Sequence, residues 1–175
     1  MYKRQQEETA PDFEHAASDA LPVLEAEGKS VRLILGNAYG ERVPVRTHSE
    51  LFYADAVLQP HAHLPLPDDH EDRGIYLLSG EVSVAGQTLS TGQMAVFRPG
   101  DAISVQAGHA GARLILLGGA TLNGPRHIWW NFVSSSRERI DDAKHAWQRA
   151  AETGNWDDSG FVLPPGDDQE FIPLP

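Results

Sequence analysis

The sequence contains no cysteine. Disulfide staples, thiolate zinc sites, iron–sulfur clusters and thiol catalysis are therefore outside its chemistry. No apolar run approaches the roughly 18–20 residues that a membrane-crossing helix needs. The opening Met1-Tyr2-Lys3-Arg4-Gln5-Gln6-Glu7-Glu8 has no apolar h-region, so no secretory signal is visible and the expected compartment is the cytoplasm. Walker A loops, dinucleotide fingerprints and the G-x-S-x-G elbow are also missing. Bases are scarce, with 14 Lys and Arg against 25 Asp and Glu, and the net charge is −11. The imbalance sits at the ends. Residues 5–29 hold seven acids and one base, residues 150–175 hold six acids and no base, and residues 30–149 are nearly neutral. Acidic flanks repel phosphate backbones, so direct nucleic-acid binding is not expected, and neither is membrane binding.

What is present is a globular composition, 41% hydrophobic and 22% charged, over 175 residues, a length suited to a single domain. Residues 1–29 read as an acidic arm. From residue 30 the texture changes to short apolar runs broken by Gly and Pro. Strands are predicted at Val31-Arg32-Leu33-Ile34-Leu35 and from Leu51 to Leu58. Ile75 to Leu78 and Glu81 to Val84 flank Ser79-Gly80, a hairpin signal, and Ala85-Gly86 turns the chain into Gln87-Thr88-Leu89. Met94 to Phe97, Ile103 to Val105 and Ala112 to Leu117 complete the series. Many short strands at close spacing predict an all-β sandwich or barrel over residues 30–133. The pattern breaks at Ser134. Ser135 and Glu138 have the capping-box spacing, and Ile140, Ala143, Trp147 and Ala150 form one helical stripe that Gly154 can end. A helix is thus predicted over about 135–152, with residues 134–175 completing the same domain. After it, Pro164, Pro165, Pro173 and Pro175 predict an extended tail, whose apolar Phe171, Ile172 and Leu174 should dock.

Few residues carry obvious chemistry. His61-x-His63 would place two imidazoles on one face of a strand, and His70-Glu71 would complete a three-histidine, one-carboxylate iron site. Three prolines between residues 59 and 67 read instead as an irregular edge or exposed loop, which is the preferred reading. Ser134-Ser135-Ser136 fits a helix cap better than a nucleophile, and Trp129-Trp130 fits packing better than a ligand stack. The residues themselves give no catalytic and no cofactor-binding assignment.

One long segment resembles the C-terminal half of pirin, a two-domain cupin family: Gly124-Pro125-Arg126-His127-Ile128-Trp129-Trp130-Asn131-Phe132-Val133-Ser134-Ser135-Ser136-Arg137-Glu138-Arg139-Ile140. Val43 to Thr47, Tyr76 to Gly80, Leu116 to Gly119 and the ending Glu170 to Pro175 are similar to that family as well. The resemblance implies a single cupin-type double-stranded β-helix, or jelly roll, with one C-terminal helix and extended terminal arms. It also implies that the family's iron-bearing N-terminal cupin is not part of this sequence. Some pirins are quercetin 2,3-dioxygenases and some are transcription co-regulators. Set on the cupin motif G-x5-H-x-H-x3–4-E-x6-G with Gly80 as its last glycine, the carboxylate position falls on Arg73, and no histidine follows Pro99-Gly100 until His109.

The expected function is therefore a pirin-like C-terminal cupin module without a metal, acting in assembly or in partner or ligand binding. The expected partner is a second copy, forming a homodimer that mimics the two-cupin arrangement, with Leu21 to Leu24 and Phe171 to Leu174 near the interface. A separate protein partner is the alternative. The second functional reading is a quercetinase-like oxygenase with iron on His61, His63, His70 and Glu71. The third is a fragment whose activity resides in a missing N-terminal cupin.

Overall fold

The computed structural model describes residues 13–161, 163–166 and 170–175. They divide into two compact units, one within Ala10–Thr121 and the other within Leu122–Pro175.

The first unit is the cupin jelly roll. Its strands are β1 (Val23–Ala26), β2 (Lys29–Ala38), β3 (Glu41–Arg42), β4 (Leu51–Leu58), β5 (His63–Pro65), β6 (Asp72–Val84), β7 (Gln87–Ser90), β8 (Met94–Phe97) and β9 (Ser104–Gly119). They join in a 9-stranded sheet whose main path is β1-β2-β4-β9-β6-β7, with β3 on β2, β5 on β9 and β8 on β6. The pairings are antiparallel, and residues alternate between core and surface as the period of two requires. Phe52, Ala54, Ala56 and Leu58 of β4 point inward, as do Ile75 and Leu77 of β6 and Leu114 and Leu116 of β9.

Three features differ from the sequence reading. The end of the expected arm is a strand, because β1 pairs with β2 and Leu21 packs on the barrel core. The two-residue turn between them, Glu27-Gly28, has positive φ at both positions, as a hairpin of that length favours. Ser79-Gly80 is not a hairpin. It lies inside the continuous strand β6, and β9 runs uninterrupted through what the sequence divides into two strands. The register of β6 against β9 shifts between Leu77 and Ser79 and again between Gly80 and Val82. These bulges bend both long strands so that each serves two layers of the roll. Gly80, at φ +85°, makes the bend possible, since a Cβ there would lie 2.3 Å from the Gly111 carbonyl oxygen. The hairpin in this region is at Ala85-Gly86, where Val84 faces Gln87.

The second unit holds a short hairpin and a helix. β10 (His127–Trp129) pairs with β11 (Phe132–Ser134), and α1 covers Arg137–Thr153. The helix cap is Ser136, one residue beyond the predicted Ser135; its Oγ accepts from the Arg139 amide at 3.5 Å. Ser134 Oγ in turn accepts from the Ser136 amide at 3.2 Å, so two of the three serines serve helix entry. Gly154 ends the helix at φ 70°, its amide donating to Ala150 at 2.8 Å.

Trp129 and Trp130 pack in an aromatic cluster. Trp147 lies at its centre, with ring centroids 5.4 Å from Trp130 and 5.0 Å from both Trp156 and Phe161. The tail docks on this cluster: Phe171 meets Trp156 at 5.2 Å, and Trp147 Nε1 donates to the Ile172 carbonyl at 3.1 Å, while the Ile172 side chain stays exposed. One aromatic contact and one hydrogen bond are together worth about 2 kcal/mol. Deleting residues 170–175 is expected to lower the thermal midpoint of this unit by several degrees. An unchanged melt would show that the tail contributes nothing.

Candidate functional site

The four residues of the iron reading are held apart by the local backbone. His61 and His63 are exposed, while Ala62 and Leu64 between and beyond them enter the core. His70 is buried, its Nε2 2.9 Å from the Asn37 carbonyl oxygen and its ring 4.8 Å from that of Phe52. Glu71 is exposed and accepts from the Thr121 amide at 3.0 Å. Among the described residues no three of His, Asp or Glu converge in a way that could hold a metal. As placed, these four residues do not converge on the three-histidine, one-carboxylate iron site that their types and spacing suggested. The expected loop is in part a strand: residues 63–65 form β5 and pair with β9, with Pro65 at its end.

Arg73 occupies the place of the missing carboxylate, and the structure gives it a different task. Its position on β6 follows the inward alternation of Ile75 and Leu77, and it is only 2% exposed. Nη1 donates to Pro67 O at 3.2 Å, and Nη2 donates to Arg98 O at 3.3 Å and Asp101 O at 2.7 Å. Nε has no partner. A buried cation without a carboxylate is costly unless fixed dipoles replace water, and here three carbonyls from two loops do so. The guanidinium ties those two loops together, at the position that corresponds to the carboxylate of the cupin motif. Apart from its place in the motif, nothing in the sequence marked Arg73 as buried, because charged arginines are rarely fully buried.

The outer surface of the roll is the more unusual feature. Paired residues on neighbouring strands share a face, so register defines rows. One row runs Leu35, Tyr53, Leu117, Gly74 and Val96 across β2, β4, β9, β6 and β8. The next contains Ile115, Tyr76 and Met94, beside Arg32 and Asp55. Val96 is 73% exposed and Met94 52%, and Tyr53 and Tyr76 are exposed too. The Arg113 guanidinium grips Asp55 through two bonds, at 2.9 and 2.8 Å, and neutralises the acid within the face. A sheet apolar on both faces is normally covered on both. The signal was present in the sequence, as apolar residues at both parities of β6 and β8, but it identifies a face only once the strand order is known.

A small apolar cavity of about 150 Å³ lies beside β1 and β2, lined by Leu24, Val31, Tyr39 and Leu64 among others. Tyr39 donates its hydroxyl to Pro65 O at 2.7 Å, and burial holds its phenol well above the ordinary range. The cavity is below the usual size of a small-molecule site, about 300–1,000 Å³.

Comparison with known proteins agrees with this architecture. The family model of the pirin C-terminal cupin domain matches residues 53–152. A pirin-like protein of Caulobacter vibrioides is 41% identical over 97% of this chain and 55% of its own length. Pirin-1 of Arabidopsis thaliana is 28% identical over 81% of this chain and 52% of its own. The crystal structure of a quercetin 2,3-dioxygenase from Acinetobacter baumannii superposes with a TM-score of 0.74 at 25% identity, covering 89% of this chain and half of that one. The chain thus spans about half the length of the relatives it matches. With the jelly roll, the late helix and the family match covering more than half its residues, the chain belongs to the pirin family and corresponds to its C-terminal cupin half.

Proposed function

We propose that this chain is a non-metal assembly module, whose exposed outer sheet face is covered by a second copy to form a homodimer resembling a two-cupin protein. The observation that carries the reading is the apolar face built from β4, β9, β6 and β8, with Tyr53, Tyr76, Met94 and Val96 open to solvent. A contiguous apolar surface of this kind on a soluble protein marks an interaction site. A two-fold pair needs only one self-complementary patch and is the commonest oligomer. The strands of the face belong to the nearly neutral stretch of residues 30–149, so the face itself carries little net charge to oppose a second copy. A second reading has its own support: relatives about twice as long carry another half, and that half could be the occupant.

Light scattering at micromolar concentration tests this. The expected mass is twice the 19.2 kDa of one chain, little changed by salt. Val96→Asp and Met94→Glu, at exposed positions, are expected to give monomers with an unchanged circular dichroism spectrum. A monomeric parent in low and high salt would sink the homodimer and favour the separate half as occupant. One iron per chain by elemental analysis, lost in the His61→Ala/His63→Ala double variant, would replace the non-metal reading with the oxygenase.

A further inference from the structure

The motif by which the sequence most resembles its family has no task so far beyond packing and helix capping, yet it lines a cavity. Four consecutive residues, 126–129, form one wall of a pocket of about 480 Å³. Arg137, Ile140, Asp141 and Lys144 form the other, at helical spacings that place them on one face of α1. The volume is in the range of small-molecule sites.

Its charge is opposite to that of the protein. The chain carries −11 overall, but the pocket's described lining holds Arg126, Arg137 and Lys144 and, among the described residues, one carboxylate, that of Asp141. Lys144 is held in place from two sides: Nζ lies 3.0 Å from Asp141 Oδ1 and 4.8 Å from the centroid of the Trp129 ring. The Lys144 ammonium keeps the Asp141 carboxyl below its usual range, so the acid stays ionised and the lysine fixed. Arg126 turns Nη1 back onto the carbonyls of residues 123–125 at 3.3 Å, which anchors its guanidinium at the rim. Arg137 makes no ion pair among the described residues. Ile128 and Ile140 add apolar wall, and Ile128 is largely exposed to solvent.

Arg137 can grip a planar oxyanion by paired hydrogen bonds with the Lys144 ammonium beside it, and the aliphatic wall of Ile128 and Ile140 accepts an apolar body. We infer that this pocket binds a small organic anion, a carboxylate or phosphate group attached to a flat apolar body. The acidic remainder of the chain does not prevent it. Charges beyond about 8 Å are screened at physiological salt, whereas the pocket cations act at contact distance. This inference does not rest on the outer sheet face or on the oligomeric state.

The test uses the full chain, titrated with phenyl phosphate, with benzoate and with neutral benzyl alcohol, and followed by calorimetry and tryptophan fluorescence. Saturable binding of at least one anion is expected, weakening as salt rises, with benzyl alcohol about tenfold weaker or more. The stronger of the two anions identifies the head group. The Arg137→Gln/Lys144→Gln double variant should lose about tenfold in affinity with an unchanged circular dichroism spectrum. Asp141→Asn removes the competing carboxylate and should tighten binding, a gain that misfolding cannot imitate. Absence of saturable binding by either anion, equal binding of benzyl alcohol, or a double variant that binds like the parent would overturn the assignment. A change in mass on the light-scattering test would leave this result untouched.

Discussion

Arg73→Glu is expected to abolish the folded state of the barrel unit. The substitution places a carboxylate where Pro67 O, Arg98 O and Asp101 O now receive three charge-assisted hydrogen bonds. Four groups with lone pairs would then face one another in a site that is 2% exposed. Leaving a buried charge uncompensated costs about 3–5 kcal/mol, and the stranded carbonyls add to that cost. Against a typical stability of about 5–15 kcal/mol, the variant should be insoluble or unfolded at 37 °C. Arg73→Met keeps the volume and removes the charge. It spares the desolvation of a cation but still strands the carbonyls, and is expected to cost about 2–3 kcal/mol, some 4–12 °C in melting temperature. Denaturation followed by circular dichroism checks both. If Arg73→Glu melts with the parent, the guanidinium does not hold the two loops together.

Gly36→Ala is the second change with a large expected effect, on a purely steric basis. Gly36 lies in β2 at φ +79°, next to a register shift between Leu33 and Leu35. A Cβ there would sit 1.8 Å from the Leu51 carbonyl oxygen and 2.9 Å from its Cδ1. Both the backbone conformation and the space exclude a side chain, so β2 and β4 must separate at the point where Gly36 faces Phe52. The expected loss is about 3–5 kcal/mol. Gly86→Ala is the matched control: its φ is +76° but nothing lies within 4 Å of its Cβ position, so only the conformational cost of about 1–2 kcal/mol applies. Equal losses at the two glycines would show that the left-handed backbone, and not the contact with Leu51, controls the effect.

The strands from Leu51 to Leu58 and from Met94 to Phe97 match their sequence-predicted limits because each has a clear apolar pattern and punctuation at both ends. The helix cap is one residue out and the helix starts at 137 instead of about 135, since three consecutive serines offer equivalent cap oxygens and only the geometry of the Arg139 amide selects Ser136. The iron reading relied on residues close in sequence. A strand turns alternate residues to one face, but the irregular stretch between His63 and His70 uncouples them, leaving two histidines in water and the third against Phe52. The pocket on α1 was not legible in the sequence: Arg126, Arg137 and Lys144 do not indicate a cavity until the hairpin and helix are packed.

Local chemistry in the sequence was sufficient to establish much of this protein. Short apolar runs with Gly and Pro punctuation imply a β-rich roll, a serine cluster before a 3.6-residue stripe implies a helix, and absent cysteine and absent fingerprints remove whole classes of chemistry. These are decided by residues within a few positions of one another. Tertiary structure decided what depends on distant partners. Ser79-Gly80 reads locally as a turn, and becomes a corner inside one strand because β9 pairs with β6 on both sides of it and the Gly111 carbonyl occupies the space of a Cβ. Arg73 reads in the sequence only as a cation at the motif's carboxylate position, and it is accommodated in the interior because two loops, at residues 67 and 98–101, bring their carbonyls to it. Backbone dihedral preference is a property of a residue and its neighbours. Burial and pairing depend on which strands lie alongside, and that order is settled only when the whole roll closes.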